Sequence, residues 1–206
     1  MSKYVVEFIG TFFLVLTVGL TLLGGKTPGF EPIAIGSVLA VMIFAGGHVS
    51  GGHYNPGVTL GVLLRGKLPM NDAVMYWVAQ VVAGVVAAFV AMAFFPAATS
   101  PASPTPVQGL LGEFIFSFAL VYVVLNVATA KGTDGNSFYG WAIGTTVLVG
   151  AYAVGGVTGG AFNSAVAIGA SLMGLLSWGN IWIYLVANLL GGAAAAYVFK
   201  YAHPGE

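Results

Sequence analysis

The sequence contains no cysteine and few charged residues. Only six lysines and arginines and six aspartates and glutamates occur among 206 residues, so charged residues make up 6% of the chain. Without cysteine, disulfide bonds and thiolate chemistry are excluded. Because the formal net charge is +0 and no charged tail is present, nothing indicates binding of nucleic acid or of an acidic substrate. Water-soluble domains carry roughly 25% charged residues, so this chain cannot cover a water-facing surface with polar groups.

Apolar residues dominate instead, at 58% of the chain with a mean hydropathy of +0.95. A helix that spans a membrane needs about 20 mostly apolar residues. Six stretches satisfy this condition, at residues 4–23, 33–49, 72–95, 108–130, 138–156 and 180–201. The first has a charge within its apolar run and no small-residue cleavage site, so we predict a retained span rather than a signal peptide. An open sheet edge cannot be satisfied in lipid, and we therefore predict an all-α membrane protein.

Two further apolar runs, residues 56–64 and 164–172, are too short to cross the membrane. At about 1.5 Å per residue, nine residues reach about half of the hydrocarbon thickness. Each run follows an asparagine, and Asn55 and Asn163 are good helix N-caps. Pro56 fits the first helical position, whereas Ser164 replaces it in the second run. These features predict two re-entrant half-helices.

The chain also contains an internal repeat. A constant offset of 108 positions relates Gly51 to Gly159, Asn55 to Asn163, Gln80 to Asn188 and Gly84 to Gly192, and Glu7 lies 106 positions before Glu113. A linker rich in proline, serine and threonine, residues 96–107, separates a first repeat, 1–95, from a second, 108–206. Each repeat has three spans, so the second must be inverted relative to the first, and the half-helices approach the midplane from opposite faces. We predict one channel domain over residues 1–206.

The distribution of basic residues predicts the orientation. Cytoplasmic loops of membrane proteins carry an excess of lysine and arginine. With both termini in the cytoplasm, five of the six basic residues lie inside and only Lys26 lies outside; the five are Lys3, Arg65, Lys67, Lys131 and Lys200. We expect an integral protein of the cell (inner) membrane.

The two half-helix starts suggest the chemistry. Each helix N-terminus carries about half a positive charge, and each asparagine offers N–H donors. Donors in a positive potential favour neutral, hydrogen-bonding molecules and oppose cations and protons. Backbone carbonyls of Gly51, Gly52, Gly159 and Gly160 would supply acceptors. Because this arrangement contains no nucleophile, base or energy-coupling group, it predicts a passive channel for water and small neutral solutes rather than an enzyme.

The remaining polar residues leave alternatives open. Glu7 and Glu113 either brace the half-helix loops or form an ion-coupling site, which would make the chain a secondary active transporter. His48 and His53 are candidates for pore-lining or gating residues, but the chain has too few ligands near them for a metal site. Ser50 with His53 suggests a more remote alternative, an intramembrane hydrolase.

The six spans, the inverted repeat and the motifs EFIGTFFL and SGGHxNP resemble the aquaporin (major intrinsic protein) family over essentially the whole chain. Its paired asparagine-proline-alanine motifs correspond to Asn55-Pro56-Gly57 and Asn163-Ser164-Ala165. Its bracing glutamates correspond to Glu7 and Glu113. The resemblance implies a homotetramer in the lipid bilayer with one pore in each subunit.

The family's outer selectivity filter falls on four residues that are all apolar: Ile35, Ala151, Gly160 and Val166. Val166 stands where the family usually has an arginine, so a charge and several donors are absent and the constriction is wider. This resemblance implies looser selection that admits ammonia, urea, hydrogen peroxide or glycerol. The glycerol-selective branch usually has an Arg-Asp pair at Val166-Ala167, so a dedicated glycerol facilitator is not expected, and some plant vacuolar relatives with valine at this position still conduct water.

Overall fold

Eight α-helices make up the fold in a computed structural model that describes residues 1–26 and 28–206. Six of them are long and apolar enough to cross a membrane. The two others contain nine residues each. In chain order the helices are α1 (Ser2–Gly24), α2 (Glu31–Ser50), α3 (Pro56–Leu64), α4 (Met70–Phe94), α5 (Pro106–Thr129), α6 (Tyr139–Thr158), α7 (Ser164–Leu172) and α8 (Ile181–Ala202). The predicted all-α fold with six spans and two half-helices is therefore confirmed.

The half-helices α3 and α7 have the predicted bounds, but several long helices begin about two residues earlier than expected. α2 begins at Glu31 and α5 at Pro106, so each has a proline within its first two positions. Proline is tolerated there because its missing N–H would have no partner in the helix. At the start of α5, the side chain of Thr105 accepts a hydrogen bond from the backbone N–H of Gln108. Pro32 and Pro106 thus belong to helix starts, whereas Pro96, Pro101 and Pro104 remain in the linker.

The two repeats follow the same backbone path into their half-helices. Gly51 follows the last residue of α2 with φ 90° and ψ −11°, and Gly159 follows the last residue of α6 with φ 92° and ψ −14°. Positive φ at this position favours glycine. Tyr54 and Phe162 also have positive φ, 49° and 47°, which is rare for large side chains. An internal repeat is expected to give the same unusual backbone angles at the capping glycines and at Tyr54 and Phe162.

Each half-helix crosses a long helix of the other repeat at close range. A Cβ atom added to Gly84 in α4 would lie 2.7 Å from the carbonyl oxygen of Ala165 in α7. The related Gly192 in α8 packs against the carbonyl of Gly57 in α3. Small residues allow this approach of two backbones. The half-helices are therefore buried within the bundle, and their first residues lie at its centre.

The segment between the repeats is tied to the end of α7. The backbone N–H of Ala98 donates to Met173 O at 2.9 Å, and that of Ala102 donates to Leu175 O at 2.9 Å. Ser177 N in turn donates to Ala102 O at 3.1 Å. This segment thus packs against the second half-helix loop in addition to linking the repeats along the chain.

The C-terminal residues fold back onto the ends of α3 and α5. Arg65 Nη2 donates to Glu206 Oε2 at 3.0 Å, and Lys131 N donates to Glu206 Oε1 at 2.8 Å. The guanidinium of Arg65 also lies over the ring of Phe199, 4.9 Å from its centroid. One carboxylate therefore joins three elements at this face of the bundle.

Candidate pore and its lining

The starts of both half-helices are capped by the predicted asparagines. Asn55 Oδ1 accepts a hydrogen bond from Gly57 N at 2.8 Å. Asn163 Oδ1 accepts from Ala165 N at 2.9 Å and from Val166 N at 3.4 Å. Side-chain oxygens at the N-cap satisfy donors that have no partner within the helix. Asn163 thus caps one N–H more than Asn55 does, although Ser164 stands where the first half-helix has Pro56.

The same two asparagines also join the repeats to each other. Asn55 Nδ2 donates to Phe162 O at 2.8 Å, and Asn163 Nδ2 donates to Tyr54 O at 2.8 Å. An amide group has two N–H donors, so each asparagine keeps one N–H for another partner. Both asparagines line a cavity of about 470 Å³. The structure thus places two amide donors side by side at the centre of the bundle.

All four residues that correspond to the outer filter line this same cavity. No side chain among Ile35, Ala151, Gly160 and Val166 carries a hydrogen-bonding group, so this part of the wall is apolar. Sequence reasoning also missed six apolar residues of the lining: Leu14, Val18, Leu39, Leu120, Ile143 and Val147. A signal for them exists in the repeat, because Leu14 and Leu120 are related by the 106 offset and Leu39 and Val147 by the 108 offset.

Further lining residues come from loops that no motif marks. Glu31 and Pro32 at the start of α2, and Ser100 and Ala102 from the segment between the repeats, line the cavity. Glu31 is the only carboxylate among them, and its Oε2 accepts a hydrogen bond from Gly29 N at 2.8 Å. The positions of Ser100 and Ala102 depend on the docking of the linker onto the loop after α7, which is a tertiary feature.

Backbone acceptors precede each half-helix. In the described part of the chain, the carbonyl oxygens of residues 51–53 and 159–161 accept no hydrogen bond from the protein. Gly159, Gly160, Ala161 and His53 belong to the lining of the cavity. Buried carbonyls normally have partners, so these oxygens are suited to accept hydrogen bonds from a solute.

Glu7 is fully buried at the first half-helix loop and accepts four hydrogen bonds. Its Oε1 accepts from Ser50 Oγ at 2.7 Å and from His53 N at 2.9 Å. Its Oε2 accepts from Tyr54 N at 2.7 Å and from Gln80 Nε2 at 2.9 Å. The carboxylate thus satisfies two backbone N–H groups of the loop and has no free oxygen to bind an ion.

Glu113 occupies the related place in the second repeat and is also fully buried. Its Oε1 accepts from Thr158 Oγ1 at 2.9 Å and from Ala161 N at 3.0 Å, and its Oε2 accepts from Phe162 N at 2.7 Å. The donors to both glutamates are a hydroxyl and the two backbone N–H groups before the capping asparagine. This geometry favours the bracing interpretation over an ion-coupling site.

The structure separates the two histidines. His53 is 6% exposed and lines the same cavity as the two asparagines, and its Nδ1 lies 3.1 Å from Thr59 Oγ1. His48 lies in a second cavity of about 590 Å³, together with Lys67 and residues of the loop after α5. Ser50 donates its hydroxyl proton to Glu7 and has no hydrogen bond to His53 among the described residues, so the nucleophile and base of a hydrolase are not brought together. The described residues contain no cluster of metal-binding side chains.

Two capped half-helices that meet end to end inside six spanning helices, beside a cavity lined by their asparagines, define a transmembrane channel for water and small solutes. The comparison with protein families agrees with this class. The model of the family described as "Major intrinsic protein" matches residues 1–199. The chain belongs to this family.

Several plant proteins are similar to this chain over nearly its whole length. Aquaporin NIP1-3 of Oryza sativa subsp. japonica is 35% identical over 211 residues, which cover 97% of this chain and 73% of that protein. Probable aquaporin TIP2-2 of the same organism is 33% identical over 226 residues, which cover 98% and 88%. The aquaglyceroporin of Plasmodium falciparum has a solved structure with a TM-score of 0.81, 21% identity and coverage of 96% of this chain and 94% of its own, which shows a shared fold.

Proposed function

We propose that this chain is a channel with loose selection among small neutral solutes, which admits ammonia, urea, hydrogen peroxide or glycerol in addition to water. The observation that carries the proposal is the outer part of the cavity, where Ile35, Ala151, Gly160 and Val166 line the wall together. Two of these residues are a glycine and an alanine, so they fill little space. These four side chains offer no fixed charge and no donor to discriminate between solutes.

Selection in this proposal rests on the inner part of the cavity. The remaining amide N–H groups of Asn55 and Asn163 donate to a passing solute, and the unpaired carbonyls before each half-helix accept from it. The positive ends of α3 and α7 oppose cations at the same place. A solute that is neutral and forms hydrogen bonds can therefore replace its water shell, whereas a cation cannot.

Stopped-flow measurements on purified protein in liposomes test the proposal. We expect osmotic water flow together with measurable permeability to at least one of the four solutes. Val166→Arg should lower solute permeability more than water permeability, because the arginine narrows the constriction and adds a charge and hydrogen-bond donors to its wall. Val166→Leu is the matched control, since it narrows the wall without adding donors. Water flow in the native channel with no permeability to any of the four solutes would contradict the proposal.

Orientation and assembly form a separate part of the proposal. The chain lies in the cell (inner) membrane with both termini in the cytoplasm. Four copies assemble into a homotetramer with one pore in each subunit. The excess of basic residues on one side supports the orientation. Large apolar side chains exposed on the long helices, such as Phe89, Trp141 and Trp182, support contact with lipid or with other copies. Protease access to a C-terminal tag in inside-out vesicles tests the orientation, and native mass spectrometry tests the tetramer.

A further inference from the structure

We propose that His53 is a hydrogen-bond donor of fixed direction in the pore, and that Thr59, Gln80 and Glu7 hold its ring in the neutral form with the proton on Nε2. Thr59 and Gln80 are positioning residues, because they act through the histidine. The proposal rests on the proposed channel function and deepens it, since it adds a third side-chain donor to those of Asn55 and Asn163.

The chain of hydrogen bonds begins at Glu7. Both of its oxygens are occupied by two donors each, from Ser50, His53 N, Tyr54 N and Gln80, at 2.7 to 2.9 Å. A carboxylate offers about four acceptor sites, so all of them are in use. Glu7 therefore acts only as an acceptor, and each group that faces it must be a donor.

This requirement fixes the amide of Gln80. The group at 2.9 Å from Glu7 Oε2 must be the NH₂ group, because an amide oxygen in that place would face a carboxylate oxygen. The second N–H of the same nitrogen points to Thr59 Oγ1 at 3.0 Å. Gln80 is fully buried, so solvent does not compete for these two bonds.

Thr59 determines which nitrogen of the imidazole accepts a hydrogen bond. Its hydroxyl oxygen accepts from Gln80, and its own proton must then go to an acceptor. Thr59 is fully buried, and the other polar group within reach of its hydroxyl in the described chain is His53 Nδ1 at 3.1 Å. Nδ1 is therefore the acceptor, and in a neutral imidazole the proton then lies on Nε2.

The ring edge that carries this proton lies next to Gly51, which lines the second cavity, while His53 itself lines the first. His53 Nε2 has no hydrogen-bond partner among the described residues. A Cβ added to Gly51 would lie 3.1 Å from Nε2, so glycine at this position leaves room at the donor edge. Tyr76 packs edge to face on the ring at 5.1 Å and limits its rotation. A passing solute can thus accept from Nε2.

The second repeat shows that the fold does not require this arrangement. Ala161 and Ala167 stand at the positions related to His53 and Thr59. Asn188, which corresponds to Gln80, accepts a hydrogen bond from Ser117 Oγ at 2.8 Å instead of reaching Glu113. The second half-helix is therefore built without a hydrogen-bonded chain like the one from Glu7 through Gln80 and Thr59 to His53. This difference indicates that the chain in the first repeat has a role in the pore.

Nitrogen-15 NMR of the histidine rings in lipid tests the proton position without any transport measurement. We expect the Nε2 of His53 to carry the proton and Nδ1 to carry none. His48→Gln and His203→Gln simplify the assignment, because the chain has three histidines. A proton on Nδ1, or a doubly protonated ring at neutral pH, overturns the proposal.

Variants of Thr59 test the positioning role by the same measurement. Thr59→Val removes the hydroxyl at similar size and should let the ring populate both tautomers. Thr59→Ser keeps the hydroxyl and should restore the single tautomer, which separates positioning from packing. Ser117→Ala is the matched control, since it removes a buried hydroxyl from the other repeat. A ring that stays in one tautomer in Thr59→Val overturns the positioning role.

Flux measurements test the donor itself. His53→Leu should lower water and urea permeability by about two- to tenfold, as expected for the loss of one hydrogen bond, whereas His53→Gln keeps a donor and should lose less. Equal permeability of these two variants overturns the donor role. If the native protein passes neither water nor solute, the proposed function fails, but the NMR result still decides the position of the proton.

Discussion

The close crossing of α4 and α7 makes a quantitative prediction about Gly84→Ala. The added Cβ would lie 2.7 Å from Ala165 O. Contacts between carbon and a carbonyl oxygen normally begin at about 3.3 Å, so the two helices must separate by about 0.6 Å at this point. Overpacking of this kind costs about 1–3 kcal/mol. Replacing a helical glycine with alanine by itself stabilises the helix by about 1 kcal/mol.

Gly156→Ala is the control that isolates the crossing. Gly156 also lies in a long helix, but a Cβ there would meet nothing within 4 Å. This variant should therefore gain the helix propensity alone. The difference in unfolding free energy between the two variants should be about 1–3 kcal/mol, the cost of overpacking. Chemical denaturation in detergent micelles, followed by circular dichroism, measures this difference.

The crossing also positions the pore. α7 begins next to the capping Asn163, so a shift of this half-helix moves the amide at the centre of the cavity. We expect Gly84→Ala to reduce water permeability in liposomes as well as stability. If Gly84→Ala is as stable as Gly156→Ala, the two backbones are not in tight contact and the reasoning is wrong.

Three further predictions concern buried polar groups. Glu113→Gln leaves one backbone N–H of the second loop without an acceptor, so denaturation in detergent should show a loss of about 1–3 kcal/mol; unchanged stability would contradict bracing. Asn163→Asp keeps the helix cap but replaces the amide donor with a carboxylate, so cation conductance should appear in planar bilayers, and its absence would mean that exclusion lies elsewhere. Arg65→Met removes one of the two donors that hold the half-buried carboxylate of Glu206, the other being Lys131 N; amides of residues 131–133 should then exchange hydrogen faster, and unchanged exchange would mean that the tail contributes nothing to that loop.

Local signals were sufficient to predict the fold and the half-helices. Six apolar stretches define the spans, and an asparagine before a nine-residue apolar run defines each short helix. Even the altered second motif begins at the predicted residue, because Asn163 caps two N–H groups where Asn55 caps one. These features depend on neighbours in the sequence, so the sequence is enough to find them.

Contacts between distant segments were not predictable in the same way. The bonds of Asn55 to Phe162 and of Asn163 to Tyr54 join residues more than 100 positions apart. Composition marks residues 96–107 as a linker, but it contains no sign that Ala102 packs against Leu176 and lines the cavity. Such features arise from the packing of the two repeats, which no single stretch encodes.

The reciprocal bonds of the two asparagines have a consequence for a chain of half the length. The oxygen of each amide is held by its own half-helix and the nitrogen by a carbonyl of the opposite repeat, so neither half alone holds both ends of its amide. A protein made of residues 1–95 would need a second, inverted copy of itself in the same membrane to complete the site. When the two copies are fused into one chain, two separate chains no longer have to insert into the membrane in opposite orientations. It also frees each half to diverge, as the histidine of one loop and the alanine of the other already show.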